Sequence, residues 1–344
     1  MKKYLLPPKN SYKANMHCHT TVSDGKLSPE EVKEAYKANG YSIVAYTDHD
    51  ILVPHPELRD EDFLPLNSFE AEFSDTAESF PGFRKTAHLC FIALDEDNVT
   101  MPFFHRTKYL VGHGAEYLDK VKFDENLPDF ERNYSPECVN EAIRIAREKG
   151  FFITYNHPVW SLERYEQYSK YHGMHAMEIY NGSCITAGYD DVNSHVYDEM
   201  MLMGKNVGCL GGDDNHNGKP FGNPKCDSFK AFTVIKADKL EYKAVTDALL
   251  KGDYYASNGP EISEIYFEND TVTVKCPSAE KITMSTGYRA SGAVYREKGK
   301  KLTDAKFPVK NRGNFVRFCV YDKYGNCAYS RAYTHKEIYE GIEE

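Results

Sequence analysis

Seven short, largely apolar runs recur along the first two thirds of the chain, and most of them lead into histidine, aspartate or glutamate. They are the opening run that leads into NMHCHTTVSDG (15–25), SIVAYTDHD (42–50), LPLNSFEAEFS (64–74), TAHLCFIAL (86–94), FFITYNHP (151–158), AMEIYN (176–181) and NVGCLGGDDNH (206–216). Helices separate most of them. Ser28, Pro29 and Glu31 mark a capped helix that stops at Gly40, and a second helix is expected from about Ser135 to Lys149, stopped by Gly150. Strands interleaved with helices predict an α/β barrel built on a parallel sheet. In such barrels the chemistry lies on the loops at the C-terminal strand ends, where most of these polar residues fall.

The pair His17 and His19 illustrates the logic. Residues two apart in an extended segment share a face, so with residues 14–20 extended both imidazoles look the same way and Cys18 looks away. Imidazole is a good ligand for zinc, iron and related ions. Asp214 and His216 repeat the spacing at the other end of the series.

Two regions break the rhythm. Residues 95–134 form a long, partly aromatic connection without a clear element, a length that suits a functional insertion or lid. After SNGP (257–260) the pattern becomes short alternating runs, ISEIYFE, TVTVKC, KITMST, NFVRFCVYD and NCAYSRAY, separated by turn signals. The chain therefore divides into an α/β part, 1–258, and a small antiparallel, β-sandwich-like domain, 259–344.

Composition narrows the function. Of 344 residues 41% are hydrophobic and 27% charged, and the formal net charge of −10 speaks against long nucleic acid and anionic membranes as partners. A small substrate fits better. The run before Pro7 and Pro8 is too short for a signal peptide, and no segment is long enough to span a membrane. Nine scattered cysteines without a CxxC pair read as reduced thiols of a cytoplasmic protein.

The candidate site residues are His17, His19, Asp24, His49, Glu70, His88, His157, Asp214 and His216. HCHTTVSDG, YTDHD, the glutamate of SFEAE, the histidine of AHLCFIAL, NHP and GDDNH, in that order, resemble the motifs of the PHP (polymerase and histidinol phosphatase) superfamily over residues 12–258. The tail resembles, more weakly, the C-terminal appendage of some stand-alone PHP proteins, including a branch related to carbamate-hydrolysing enzymes. The resemblance implies a distorted (β/α)7 barrel holding two or three divalent ions, zinc, manganese or iron. It implies His17, His19, Glu70 and Asp214 around one ion, a shared Glu70 with His88 and His157 around a second, and Asp24, His49 and His216 around a third. Glu72 is the rival of Glu70 for the bridging role.

Such a centre would hydrolyse a small phosphomonoester or phosphodiester, such as a nucleotide or sugar phosphate, through a metal-activated hydroxide. Glu70, Asp214 and His216 are the residues expected to take part in the chemistry. The alternatives are carbamate, ester or amide hydrolysis on the same metals, or a non-catalytic binding module.

Around these, Asp213 reads as a supporting or surface acid, Asp48 as pointing away from His49, and Asp50 as a holder of a ligand. Glu178 and Asn181 are candidate substrate contacts, and Arg84, Lys85 and Arg106 could meet an anionic substrate. His55, His105, His113, His172, His175, His195 and His335 match no motif, and His113 is the best placed of them to act at the site.

Overall fold

The computed structural model describes residues 2–77 and 83–340. In chain order the first part contains β1 (Lys3–Leu6), β2 (Asn10–Asn15), α1 (Pro29–Ala38), β3 (Ile43–Tyr46), β4 (Leu64–Ser74), β5 (Thr86–Ala93), α2 (Pro136–Glu148) and β6 (Phe151–Asn156). It continues through α3 (Tyr165–Tyr168), β7 (Ala176–Asn181), α4 (Gly182–Ala187), α5 (Ser194–Leu202), β8 (Gly208–Gly212), β9 (Phe232–Ala237), α6 (Tyr242–Lys251) and β10 (Tyr254–Ser257). The tail adds β11 (Glu264–Glu268), β12 (Thr271–Ala279), β13 (Lys281–Thr286), β14 (Gly292–Tyr295), β15 (Leu302–Pro308), β16 (Phe315–Tyr321), β17 (Cys327–Ser330), β18 (Tyr333–Thr334) and α7 (His335–Tyr339).

The expected helix signals operate. Ser28 caps α1 by accepting the Glu31 amide, and the Glu31 carboxylate returns to the Ser28 amide. In α2 the buried positions Val139, Ala142, Ile143 and Ala146 follow the i, i+3, i+4, i+7 stripe of a helix with one face inward. β3, β5 and β6 are buried along their whole length, as strands covered on both faces should be.

The large sheet runs β14-β13-β16-β17-β10-β9-β2-β3-β4-β5-β6-β7-β8, with β18 paired to β16. Pairing is parallel from β2 to β4 and again from β6 to β8. The expectation of a parallel sheet fails at β5, which is antiparallel to both β4 and β6. The reason is chain length: Ser74 and Thr86 are too close in sequence for the crossover that parallel neighbours need. Beyond the strand ends, a parallel bridge between Cys18 and Asn215 links the segment after β2 to the segment after β8. Two hydrogen bonds make it, Asp214 N to His17 O at 2.8 Å and His19 N to Asn215 O at 3.1 Å.

β9, α6 and β10 were not expected from the sequence; neither were β14 and β15 in the tail. A separate four-stranded antiparallel sheet has the order β1-β11-β12-β15, so the first strand of the chain pairs with the tail. Its apolar side chains, among them Leu6, Ile265, Val272 and Phe307, share a core with Ile282, Phe318 and Val320 of the large sheet.

The insertion 95–134 is packed rather than open. Met101, Phe103, Phe104 and Val121 are buried, and the Phe103 ring lies 5.3 Å from Phe91 and 5.8 Å from Phe69. No described helix is long and apolar enough to cross a membrane. Among the described residues every cysteine is a free thiol, and all but Cys138 are buried.

Candidate metal centre

The nine candidate residues converge beyond the C-terminal ends of β2, β3, β6 and β8, joined by Glu70 from within β4 and His88 from near the start of β5. Glu70 is at the middle. Its side chain is wholly buried, and five imidazole nitrogens surround its carboxylate: His17 Nε2 at 3.2 Å, His19 Nε2 at 3.4 Å, His49 Nδ1 at 3.3 Å, His88 Nδ1 at 3.2 Å and His157 Nε2 at 3.4 Å. Asp214 Oδ1 lies 3.3 Å from His17 Nε2 and 3.1 Å from His19 Nε2. His17 and His19 do share a face, with their Nε2 atoms 3.1 Å apart, while Cys18 packs on the opposite side among Val32, Tyr36 and Tyr46.

The ligand-type atoms form overlapping groups, each spanning less than 4.8 Å: His17, His19 and Glu70; His49, Glu70 and His88; His17, His157 and Glu178; and His19, Asp24, His49 and His216. Glu72, the rival of Glu70, touches one imidazole, His88, at 4.0 Å, and its carboxylate is engaged by Ser74 and Thr86. β4 alternation explains this: Glu70 and Glu72 share a face, but only Glu70 lies deep enough to be fully buried.

Charge is distributed unevenly. Burial disfavours the ionised form of Glu70, yet His17, His88 and a hydrogen bond from His157 hold its carboxyl well below the usual range. Burial likewise opposes ionisation of Asp214, and His17, His19 and His157 lower it further than burial raises it. Burial opposes the cationic form of His157, but Glu70 and Asp214 raise its pKa to about 9. His19 is driven the other way, to about 3, by burial and by the neighbouring His216 and His49.

Do these residues fit cations? Glu70 Oε2, His19 Nδ1, His49 Nδ1 and His88 Nε2 are buried without a hydrogen-bond partner among the described residues. A buried carboxylate oxygen facing imidazoles that do not hydrogen-bond to it is costly in protein alone. Mixed imidazole and carboxylate donors are what zinc, manganese and iron take. The residues fit.

A supporting layer fixes the donors. Glu178 Oε1 lies 2.8 Å from His17 Nδ1, and Glu178 Oε2 accepts the His157 amide at 3.1 Å. Asn156 donates to Glu70 at 3.1 Å, and Asn181 donates to Asp214 at 3.1 Å. Glu178 and Asn181, expected at the substrate, are thus buried behind the ligands, as imidazole partners commonly are. Gly212 is required here, because a Cβ would stand 2.9 Å from His17 Cβ and 3.0 Å from Glu178 Oε1. His157 (φ 26°) and Asp214 (φ 53°) hold left-handed backbone, a local cost that recurs at functional sites.

Asp48 organises the loop before Asp24 by accepting from Thr20 N and Oγ1 and from Ser23 N and Oγ. Asp213 is fully buried and accepts from Tyr36 and from the amides of Phe229, Lys230 and Ala231. Asp50, expected to hold a ligand, instead pairs with the buried guanidinium of Arg132. That pair ties the insertion to the centre and had no sequence signal.

The other histidines stay outside. His113 is exposed and paired with Glu116 at 3.0 Å, His175 stacks on Phe152, His335 stacks on Tyr339, and His105 meets Glu131. His55 lies against Tyr46, His172 bonds the Lys170 carbonyl, and His195 is exposed beside Glu199. Arg106 is occupied by Asp129 and by the carbonyls of Glu125 and Leu127; Arg84 is exposed and Lys85 half-buried.

A cavity of about 300 Å³ opens over the cluster, lined by Asp24, His49, Glu70, His88, His157, Asp214 and His216 on its polar side. Fold and residues together describe a buried histidine–carboxylate centre at the mouth of an α/β sheet.

No family model and no curated protein matches the chain. Among solved structures it is similar to a two-domain protein from Bacteroides vulgatus containing a predicted PHP-like metal-dependent phosphoesterase, at 14% identity and a TM-score of 0.42, covering 96% of this chain and 98% of that one. It is also similar to the lesion-specific endonuclease PfuEndoQ from Pyrococcus furiosus (14% identity, TM-score 0.38, 70% of this chain and 56% of that one). A third is an amidohydrolase from Chromobacterium violaceum with bound sulfate (16% identity, TM-score 0.35, 59% of this chain and 87% of that one). These likenesses are distant, and the reading of the site rests on its own geometry.

Proposed function

We propose that this chain is a phosphoesterase that uses two or three divalent ions to hydrolyse a small phosphomonoester or phosphodiester, such as a nucleotide or sugar phosphate. One observation carries the reading: the wholly buried Glu70 carboxylate with five imidazole nitrogens within 3.4 Å and one oxygen left without a hydrogen bond among the described residues. The Cys18–Asn215 bridge between the segments after β2 and β8 supports a barrel closed at its mouth.

In this reading His17, His19, Glu70 and Asp214 hold one ion, Glu70 with His88 and His157 a second, and Asp24, His49 and His216 a third. Bound divalent ions supply Lewis acidity, bringing the pKa of water from about 15.7 toward 7 and offsetting charge on phosphoryl oxygens. The protein's part is to fix the donors. Glu178, Asn156 and Asn181 orient His17, Glu70 and Asp214, and burial keeps competing water from the carboxylates. His216 is the most exposed of the six imidazoles, with a third of its side chain accessible. Its Nδ1 lies 3.1 Å from the Asp214 carbonyl and its Nε2 3.5 Å from Asp24, so Nε2 would serve as the ligand atom when a third ion is bound and as a proton carrier at the cavity when only two are. The net charge of −10 favours a small substrate over long nucleic acid.

The test is turnover of a synthetic phosphomonoester and a matched diester by manganese- or zinc-loaded protein, with Asp214→Ala as control. Turnover that vanishes in the variant supports phosphoester hydrolysis. A metal-replete protein that cleaves neither ester, yet cleaves a carbamate or amide, overturns it in favour of carbonyl chemistry.

A further inference from the structure

The cavity over the centre has an apolar side that metal binding does not use. Val111 comes from the insertion, Trp160 from the loop after β6, and Cys184 and Ala187 from α4. Three separate elements thus bring apolar groups into the lining, among the histidines and carboxylates that complete it.

Each element is held in place. Trp160 and Val159 donate their amides to the fully buried Asp191, at 2.9 and 3.3 Å. The Val111 segment is seated on the loop that carries Asp24: the His113 amide donates to the Ser23 carbonyl at 2.7 Å. Gly112 has φ +57° there, and a Cβ would fall 1.9 Å from that same oxygen. α4 is capped by Asn181, whose side chain accepts the Cys184 amide and donates to Asp214.

Trp160 is the feature that needs explaining. It is the chain's only tryptophan, and 39% of it stays exposed although it lies against the buried His88 and His157. Its ring centre lies 5.3 Å from His88 and 5.1 Å from His157, at interplanar angles of 70° and 88°. Neither imidazole lies flat against the indole, so neither takes the place of a parallel stacking partner. A large, partly exposed aromatic surface beside two of the site histidines, lining the cavity over the centre, is suited to recognition of a flat group.

We propose that Trp160, with Val111 and Ala187, forms a platform that selects substrates carrying a flat aromatic or heteroaromatic group next to the scissile bond. That group is uncharged or cationic rather than anionic, since the Glu72 carboxylate lines the same cavity. Trp160 is here a specificity residue. The proposal rests on the reading of the centre as a hydrolytic metal site, but not on which bond is cut.

The test uses zinc-loaded protein and two pairs of non-hydrolysable metal-directed probes: phenylphosphonate with methylphosphonate, and benzohydroxamate with acetohydroxamate. Because Trp160 is the sole tryptophan, its emission reports ring contact directly, and calorimetry gives affinities in the variants. The expected result is saturable quenching by the aromatic member of a pair and tighter binding of it by about three- to tenfold. Trp160→Ala should erase that difference and Trp160→Phe retain most of it. Aromatic preference among the hydroxamates with no phosphonate binding would uphold the platform and overturn the phosphoester reading. Equal affinities within both pairs, a preference that survives in Trp160→Ala, or binding of neither pair would overturn the platform.

Discussion

The mouth of the large sheet and the core of the tail both bury side chains, but they are built from opposite materials. Between the tail sheets, Ile265, Val272, Val274, Phe307, Phe318 and Val320 meet one another, and their burial is itself the stabilising contribution, about 1.5–3 kcal/mol for each large side chain. At the mouth the buried groups are the imidazoles of His17, His19, His49, His88 and His157 and the carboxylates of Glu70, Glu178 and Asp214. Desolvating those groups costs free energy unless something cationic compensates. A chain that keeps both kinds of interior has one for folding and one for function.

Substitutions can break that comparison. The largest effect belongs to Asp214→Ala. The several kcal/mol that bound ions supply correspond to a loss of about a thousandfold in kcat/KM at about 1.36 kcal/mol per decade. The circular-dichroism spectrum should stay near wild type, while the urea midpoint falls because the variant leaves His17, His19 and His157 without their buried carboxylate partner. Phe318→Ala should lower stability alone. A fully buried ring in the tail core is lost at about 3–5 kcal/mol of unfolding free energy, while activity per folded molecule is retained; a chemical-denaturation curve alongside turnover checks both.

Stripping the ions sharpens the contrast. Where free metal stands at about a hundred times its Kd, removal by chelation lowers stability by about 2.7 kcal/mol, and hydrogen exchange should rise around residues 17–24, 49, 70 and 214 while β11–β13 stay protected.

The pH dependence of the stripped protein follows from His157. Its folded pKa, raised to about 9 by Glu70 and Asp214 against the opposing effect of burial, exceeds its unfolded value of about 6.5. The stability it contributes is therefore complete below about pH 6.5 and is lost as pH rises through about 9. Glu70 and Asp214 act oppositely: with folded pKa values held down, their contribution is present above about pH 4 and lost as pH falls through those values. Thermal melts of stripped protein should thus decline from pH 6.5 to 9.5, while zinc affinity by competition titration rises as His157 sheds its proton. The smallest effect is that of His113→Ala. Its exposed ring should change stability by less than about 0.5 kcal/mol, and turnover should be unaltered.

How legible was this in the sequence? Strands with a continuous apolar run, such as Ile43–Tyr46 and Phe151–Asn156, and helices with a Ser-Pro start announce themselves, because the signal is local. β5 reads as a strand, but its direction is set by how little chain joins it to β4. β9 does carry a local signal, the β-branched run FTVIKA, and was missed in spite of it; β10 is only four residues long and is defined by pairing with β9 and β17. The ligand-type residues stand out through paired spacing at strand ends. Their supporters do not: Glu178 looks like any strand-end acid until His17 is found 2.8 Å away, and Arg132 lies eighty-odd positions from Asp50 in sequence. Three-dimensional partnership of that kind leaves no periodicity to read.

The most direct test of the central claim is metal content by inductively coupled plasma mass spectrometry on wild type and Glu70→Gln, each loaded with zinc or manganese and desalted. A cluster organised around one shared carboxylate predicts two to three ions per wild-type chain, and loss of more than one ion in Glu70→Gln with its fold intact. A wild-type chain that retains no ion, or a Glu70→Gln variant that retains them all, would contradict the account.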